Sequence, residues 1–179
     1  MRQLPVWALL VACGHHGATS IDASIDASSA ADVAACEAVV DQVTQACMGT
    51  DPTSNRICEY AVMRPLCASG RTQFIQAEFQ CLLLDACQDP GDPSDAGNCI
   101  DALIDMSRTA ADNAYASFAC TCRPSDDGCG SGNPYGDLGY VMMLLPADVT
   151  ALTTCGTNMG CTASACLDAT GLGGLGSCQ

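Results

Sequence analysis

The chain contains no lysine, and its only histidines, His15 and His16, lie close to the N-terminus. The predicted folded domain, residues 32–179, therefore lacks the side chain that most often acts as a general base near neutral pH. A Ser-His-Asp or Cys-His catalytic site cannot form within it. The sequence predicts no catalytic residues, and the domain is not expected to be an enzyme.

Basic residues of any kind are scarce, because six arginines stand against 20 aspartates and glutamates. The formal net charge of the chain is −14. A surface of this sign repels nucleic acid and anionic lipid head groups. The charge balance excludes nucleic acid as a partner, and we interpret the acidity as a feature that keeps an exported protein in solution.

Aromatic residues make up only 4% of the chain, and the single tryptophan is Trp7. Large aromatic side chains normally dominate the burial of apolar surface in a protein core. The chain compensates with 15 cysteines. Disulfides stabilise a fold by roughly 2–4 kcal/mol each, so we expect cross-links to supply much of the stability of this domain.

A short apolar run, Leu4–Ala12, follows Arg2 and ends at Cys13. Spanning a bilayer takes roughly 20 residues, so this run is too short for a transmembrane helix. It fits the apolar region of a signal peptide. Its last residues and the cysteine, Leu10-Val11-Ala12-Cys13, resemble the lipobox of bacterial lipoprotein signal peptides. The resemblance implies that residues 1–12 are removed and that Cys13 carries a lipid that anchors the chain in a membrane.

The segment 13–31, which follows the predicted cleavage site, is rich in Ala, Ser and Asp. Such a composition buries too little apolar surface to fold, so we expect a flexible tether. Asp/Ala-rich tethers after a lipobox are similar to those of Cys-rich predicted lipoproteins of myxobacteria. Gly14 follows Cys13, whereas Asp at this position favours inner-membrane retention in enteric lipoproteins. The resemblance therefore implies the bacterial outer membrane or cell surface, with a periplasm-facing position as the alternative.

Without the lipidated Cys13, the 15 cysteines leave an even number, fourteen. Seven disulfides in an oxidising compartment are the simplest explanation. Cys120-x-Cys122 and Cys161-x4-Cys166 have spacings that zinc sites also use, but in an exported chain we interpret them as disulfide cysteines. Spacing alone does not determine the pairing. The predicted disulfide cysteines are Cys36, Cys47, Cys58, Cys67, Cys81, Cys87, Cys99, Cys120, Cys122, Cys129, Cys155, Cys161, Cys166 and Cys178.

Apolar residues recur at helical spacing along the rest of the chain, and alternating β-branched runs are few. The pattern predicts one all-α domain over residues 32–179, with five to six short helices cross-linked by disulfides. The first helix is expected from about Asp32 to Cys47, capped by Ser29 or by Asp32 itself. Its predicted inward face consists of Val33, Cys36, Val40, Val43 and Cys47.

The next three helices are expected over residues 54–64, 72–87 and 95–119. The last of these is predicted to be the longest helix of the chain. Their inward residues are predicted to be Cys58 and Val62 in the second helix, Ile75, Phe79, Leu82 and Ala86 in the third, and Cys99, Leu103, Met106 and Ala110 in the fourth.

A polar loop is predicted over residues 123–137. The apolar segment 140–145 after it is ambiguous between helix and strand. A helix is expected to begin at Pro146 and to run towards Cys155, because proline is tolerated at the first helical position. A short helical turn is expected over residues 161–166.

The sequence contains three local motifs that resemble ligand sites, and we predict that none of them binds a ligand. Asp126-Asp127-Gly128 with Asp137 offers oxygen ligands for Ca²⁺, but it departs from the EF-hand pattern and is interpreted as a solvated loop. Cys13-Gly14-His15-His16 is interpreted as a spacer. Gly171-x-Gly173-x-x-Gly176 has the dinucleotide-binding pattern without the strand and helix that must flank it. We predict no metal and no cofactor.

The sequence thus predicts a membrane-anchored extracytoplasmic lipoprotein whose disulfide-linked helical domain is a binding or structural module. One alternative is a carrier of a small apolar ligand in an interhelical cavity, although the apolar cluster Met142–Leu145 is more typical of a core. The other is a carboxylate-dependent hydrolase, although Glu37, Glu59 and Glu78 are expected on helix surfaces. The partner is therefore expected to be an unknown protein or a small apolar ligand.

Overall fold

The computed structural model describes residues 28–85, 95–125, 129, 135–161, 164–167, 170 and 172–178. These residues form a single all-α domain without a strand, which confirms the predicted fold class. Single 3-10 turns occupy Leu83–Asp85 and Gly173–Ser177. The helices of the described residues are α1 Ala30–Thr50, α2 Asn55–Met63, α3 Leu66–Ser69, α4 Thr72–Leu82, α5 Asp95–Ser107, α6 Ala110–Cys122, α7 Tyr135–Met142, α8 Pro146–Asn158 and α9 Ser164–Leu167.

Helix α1 has the inward face that its sequence predicts, because Cys36, Val40, Val43 and Cys47 are all buried. Ser29 caps the helix, and Asp32 is part of the same cap. The Asp32 backbone N–H donates to the Ser29 hydroxyl at 3.2 Å, and the Ser29 N–H donates to the Asp32 carboxylate at 3.1 Å. This reciprocal capping box satisfies two of the backbone donors that the start of a helix leaves free.

The core is built around α4, which packs against α1 on one side and against α5 on another. Ile75 and Phe79 of α4 are fully buried, as their spacing predicts. A second packed pair, α6 against α8, extends the same core towards the C-terminus. Gly156 of α8 lies so close to the Phe118 ring that a Cβ there would come 2.3 Å from the ring carbon Cζ.

The prediction of one long helix over residues 95–119 is wrong. The chain forms two helices there, α5 and α6, which are separated at residues 108 and 109. Thr109 caps α6, and Asp112 completes the cap as its third helical residue. The predicted inward face of this segment is only partly right, because Leu103 packs against the core and Cys99 is half-buried. Met106 is 80% exposed and Ala110 is exposed, while Ile104 is buried in the core.

The inward face of α2 also differs from the prediction. Tyr60 and Met63 are buried, whereas Cys58 is exposed and Val62 is half-buried. Cys58 and Val62 instead lie on the side of α2 that the C-terminal 3-10 turn contacts. A Cβ added at Gly174 would lie 3.0 Å from a methyl carbon of Val62.

Helix α7 resolves the ambiguous apolar segment and shortens the predicted loop. The helix begins at Tyr135 and ends at Met142, and Met143 and Leu144 then continue into the core without helical structure. Their burial agrees with the expectation that the apolar cluster is core. Helix α8 begins at Pro146 as predicted and extends beyond Cys155.

Candidate functional site

The cysteines join helices that are far apart in the sequence. Among the described residues, six disulfides are present, and the widest of them connects α2 to the C-terminal segment across 120 residues. The others connect α1 to α3, α4 to α5, α6 to the residues that follow it, α6 to the turn after α8, and α8 to α9. The pairs are Cys36–Cys67, Cys58–Cys178, Cys81–Cys99, Cys120–Cys129, Cys122–Cys161 and Cys155–Cys166.

In each of the two motifs with zinc-site spacing, the two cysteines bond to different partners instead of sharing one site. Cys120 and Cys122 bond to different partners, and so do Cys161 and Cys166. Within the described ranges, no group of three or more His, Cys, Asp or Glu side chains is placed to hold a metal ion.

Cys47 is also disulfide-bonded, and its partner lies outside the described residues. Two cysteines of the sequence lie there, Cys13 and Cys87. The predicted lipidation site at Cys13, the spacer histidines and the Asp126-Asp127-Gly128 motif are likewise outside the described part of the chain.

The three glutamates differ in their surroundings. Glu37 is partly exposed and forms an ion pair with Arg64 at 3.2 Å, which fits the expected helix surface. Glu59 is half-buried. The expectation for Glu78 is wrong, because this residue is only 7% exposed on the core side of α4.

Glu78 is the most unusual ionisable group among the described residues. Its Oε2 atom is buried and has no hydrogen-bond partner among the described residues. Burial raises the pKa of the Glu78 carboxyl to about 8, because the charged form loses its hydration. The side chain is therefore mostly a neutral carboxylic acid at pH 7.

Helix α7 passes directly over the Glu78 carboxyl. A Cβ at Gly139 would lie 3.2 Å from Glu78 Oε1, so the absence of a side chain there allows the backbone of α7 to approach. The next residue of α7, Tyr140, donates its hydroxyl to Glu59 Oε2 at 3.1 Å. This hydrogen bond connects α7 to α2 beside the buried acid.

Two tyrosines and an arginine complete the cluster. The Tyr60 ring packs edge-on against Phe79, with ring centroids 5.2 Å apart. Burial raises the pKa of Tyr60, and the neighbouring Arg56 opposes this effect. Burial also raises the pKa of Tyr140, and the charge of Glu59 adds to this effect. Both phenols are therefore protonated near neutral pH. We define the acid cluster as Arg56, Glu59, Tyr60, Glu78 and Tyr140.

A second buried acid, Asp112 of α6, lies beside the start of α4. Both of its carboxylate oxygens accept hydrogen bonds. Arg71 donates through Nη1 to Asp112 Oδ2 at 2.9 Å and through Nη2 to Oδ1 at 2.6 Å. Thr109 donates its backbone N–H and its hydroxyl to the same carboxylate, at 2.7 and 2.8 Å. This bidentate ion pair joins α4 to the start of α6.

The acid cluster is the candidate functional site, because buried ionisable groups with unmatched surroundings concentrate at functional sites. A neutral carboxyl offers one hydrogen-bond donor and one acceptor, and it can take up or release a proton near physiological pH. The sequence carries one signal for the burial of Glu78. Glu78 follows Ile75 by three residues and Phe74 by four, so it lies at the border of the apolar face of α4.

Comparison of the chain with protein-family models, with curated proteins and with solved structures gave no match. Within the described part of the chain, each helix is too short or too polar to cross a membrane.

Proposed function

We propose that this chain is an exported bacterial lipoprotein, anchored through a lipid on Cys13, whose helical domain is a binding or structural module. The proposal combines the lipobox-like motif Leu10-Val11-Ala12-Cys13 with the disulfide-linked all-α domain. In it, residues 1–12 are the signal peptide and the segment up to α1 is the tether. The outer membrane or cell surface is the proposed location.

The observation that carries the proposal is the density of disulfides between distant elements. The Cys58–Cys178 bond closes a loop of 120 residues, four further bonds lie within this loop, and Cys36–Cys67 connects α1 to α3. Such bonds persist in oxidising compartments and are rare in the reducing cytosol. A domain cross-linked in this way is expected outside the reducing cytosol, and this expectation supports the proposed export.

Catalysis is not part of this proposal. The domain has no histidine and no lysine, and each cysteine of its described part is in a disulfide. Glu59 and Glu78 both lie near Tyr60 and Tyr140, and Glu78 is buried beneath α7 rather than open to a substrate. We propose that the domain works by contact, with a protein partner or a small apolar ligand.

Intact mass spectrometry of the membrane-extracted protein tests the anchor and the compartment together. The proposal predicts the mass of residues 13–179 plus a lipid, no thiol alkylation before reduction, and fourteen labels after it. A Cys13→Ala variant should lose the lipid mass and leave the membrane fraction, while a Cys161→Ala control should keep both. An unlipidated wild-type chain would overturn the anchor, and free thiols in it would overturn the compartment.

The partner of Cys47 gives a prediction specific to this proposal. If Cys13 is lipidated, the only cysteine left for Cys47 is Cys87. Peptide mapping without reduction should therefore recover a Cys47–Cys87 linked pair. Recovery of Cys13 linked to Cys47 would contradict lipidation, since one sulfur cannot carry both bonds.

A further inference from the structure

Helix α7 is held over the core by apolar contacts and by two polar attachments. Leu138, Val141 and Met142 are buried, and the helix packs against α5, α6 and α8. Just after the helix, the Met143 carbonyl accepts the backbone N–H of Arg71 at 2.8 Å. Tyr140 provides the second attachment through its hydrogen bond to Glu59. Opening of α7 would expose an apolar surface of the core.

The Glu78 carboxyl lies beneath the middle of this helix, at Gly139. It forms no ion pair within the described residues, and its Oε2 atom has no hydrogen-bond partner. An ionised carboxylate in this position would be buried without an opposite charge, and this raises the free energy of the closed state. An open α7 would let water reach the carboxylate and would remove that cost.

Within the described part of the chain, no neighbouring cation offsets the effect of burial on the pKa of Glu78. From α2, the titratable neighbours are Glu59 and Tyr60, with Arg56 next to Tyr60; from α7, the neighbour is Tyr140. The buried residues of α1 and α3 are apolar or disulfide-bonded cysteines: Cys36, Val40, Val43, Cys47, Leu66 and Cys67. The buried residues of α5 are Ala96 and Ile104.

We propose that α7 is a proton-controlled cover, which neutral Glu78 keeps closed and which ionisation of Glu78 drives towards an open state that exposes the apolar face of Leu138, Val141 and Met142. This regulation goes beyond the proposed function and does not depend on the lipid at Cys13.

The direction of the pH effect follows from proton binding in the two states. In the closed state the pKa of Glu78 is about 8, and in an open, hydrated state it returns towards the ordinary 4.5. Between these values the closed state holds more protons than the open state, so opening becomes more favourable as the pH rises. The open fraction grows by up to about tenfold per pH unit in this window and levels off above it.

Amide hydrogen exchange on the membrane-extracted protein, with its disulfides intact during labelling, tests the proposal. Peptides that cover Tyr135–Met142 are followed from pH 5 to pH 9 and corrected for the intrinsic pH dependence of exchange. We expect α7 to be less protected than α1, and we expect the protection of α7 to fall by up to about tenfold per pH unit up to about pH 8. The Glu78→Gln variant should lose this dependence, because its side chain cannot ionise.

A Glu37→Gln variant is the matched control, since Glu37 is a partly exposed acid paired with Arg64. It should keep the pH dependence of the wild type. A Glu78→Leu variant repeats the test without a polar side chain, in case glutamine disturbs the packing. The proposal is overturned if α7 is as strongly protected as α1, so that it opens only with the whole domain, if wild-type α7 shows no pH dependence, or if that dependence persists in both Glu78 variants.

Discussion

Asp112 and Glu78 are two buried acids at opposite ends of the region where α4 meets its neighbours. They are similar in burial and differ in their hydrogen-bond partners. Asp112 is fully buried and accepts four hydrogen bonds, two from Arg71 and two from Thr109. Glu78 is almost as buried, and its Oε2 atom accepts none. The first acid is stabilised as a charge, whereas burial favours the neutral form of the second.

The difference separates a structural acid from a titratable one. The Arg71–Asp112 pair joins the start of α4 to the start of α6, so it fixes the point where the chain changes direction between α5 and α6. Glu78 forms no ion pair with another described residue, and it lies beneath α7 with a carboxyl that can change charge near neutral pH. A buried group kept without partners is a candidate for function, because the same volume filled by an apolar side chain would be more stable.

The largest effect is expected at Asp112. Asp112→Asn keeps an oxygen that can accept from Thr109 but removes the charge, which leaves Arg71 largely buried without a counter-ion. We expect the free energy of unfolding in urea at pH 7 to fall by about 3–5 kcal/mol. Asp41→Asn is the control, because Asp41 pairs with Arg64 at an exposed site and should matter far less. Similar losses in both variants would remove the distinction drawn for Asp112.

A smaller loss is expected at the cap that supports the same carboxylate. Thr109→Ala removes the hydroxyl that caps α6 and donates to Asp112. The expected loss of stability is about 1 kcal/mol, by analogy with other N-cap substitutions. Thr50→Ala serves as the comparison, since the Thr50 hydroxyl donates only to the Ala46 carbonyl within α1 at an exposed site. Chemical denaturation that gives no difference between the two would show that the cap is dispensable.

The contact between α7 and Glu78 can be tested through Gly139. Alanine favours a helix over glycine by about 1 kcal/mol, but its Cβ here would lie 3.2 Å from Glu78 Oε1. Gly139→Ala should therefore stabilise a Glu78→Ala background by about 0.5–1 kcal/mol and should help the wild type less, or harm it. Thermal unfolding of the four proteins measures the coupling. Equal changes in both backgrounds would mean that Glu78 does not limit the approach of α7.

The smallest effect is expected at Tyr140. Tyr140→Phe removes the hydrogen bond to Glu59, whose side chain is half-buried and can turn to water. We expect a loss of about 0.5 kcal/mol by urea denaturation. A Glu59→Gln variant keeps an acceptor oxygen and should change stability less. A loss as large as that of Asp112→Asn would place the main attachment of α7 at Tyr140 instead.

The sequence was informative where a helix buries one regular face. The spacing of Cys36, Val40, Val43 and Cys47 predicted α1 and its buried face correctly, and Pro146 marked the start of α8. In both cases a single local rule agrees with the tertiary packing.

Local patterns were insufficient where a contact distant in sequence decides the structure. The break between α5 and α6 has a local signal, Thr109-x-x-Asp112, but it lies in an alanine-rich stretch that also favours a continuous helix. Asp112 pairs with Arg71, which is 41 residues away, and no spacing rule connects these two residues. The burial of Glu78 depends in the same way on α7, some 60 residues further along the chain. Disulfide pairing was beyond prediction because spacing does not encode it.

The titration of Glu78 is the most direct test of the contrast between the two acids. The chain has only three glutamates, Glu37, Glu59 and Glu78, so selective ¹³C labelling of glutamate carboxyls gives three resonances, and the Glu78→Gln variant identifies one. The structure predicts that this resonance moves with a midpoint of about pH 8. A midpoint near the ordinary 4.5 would contradict the account, because it would mean that water or an unseen partner already compensates the charge of Glu78.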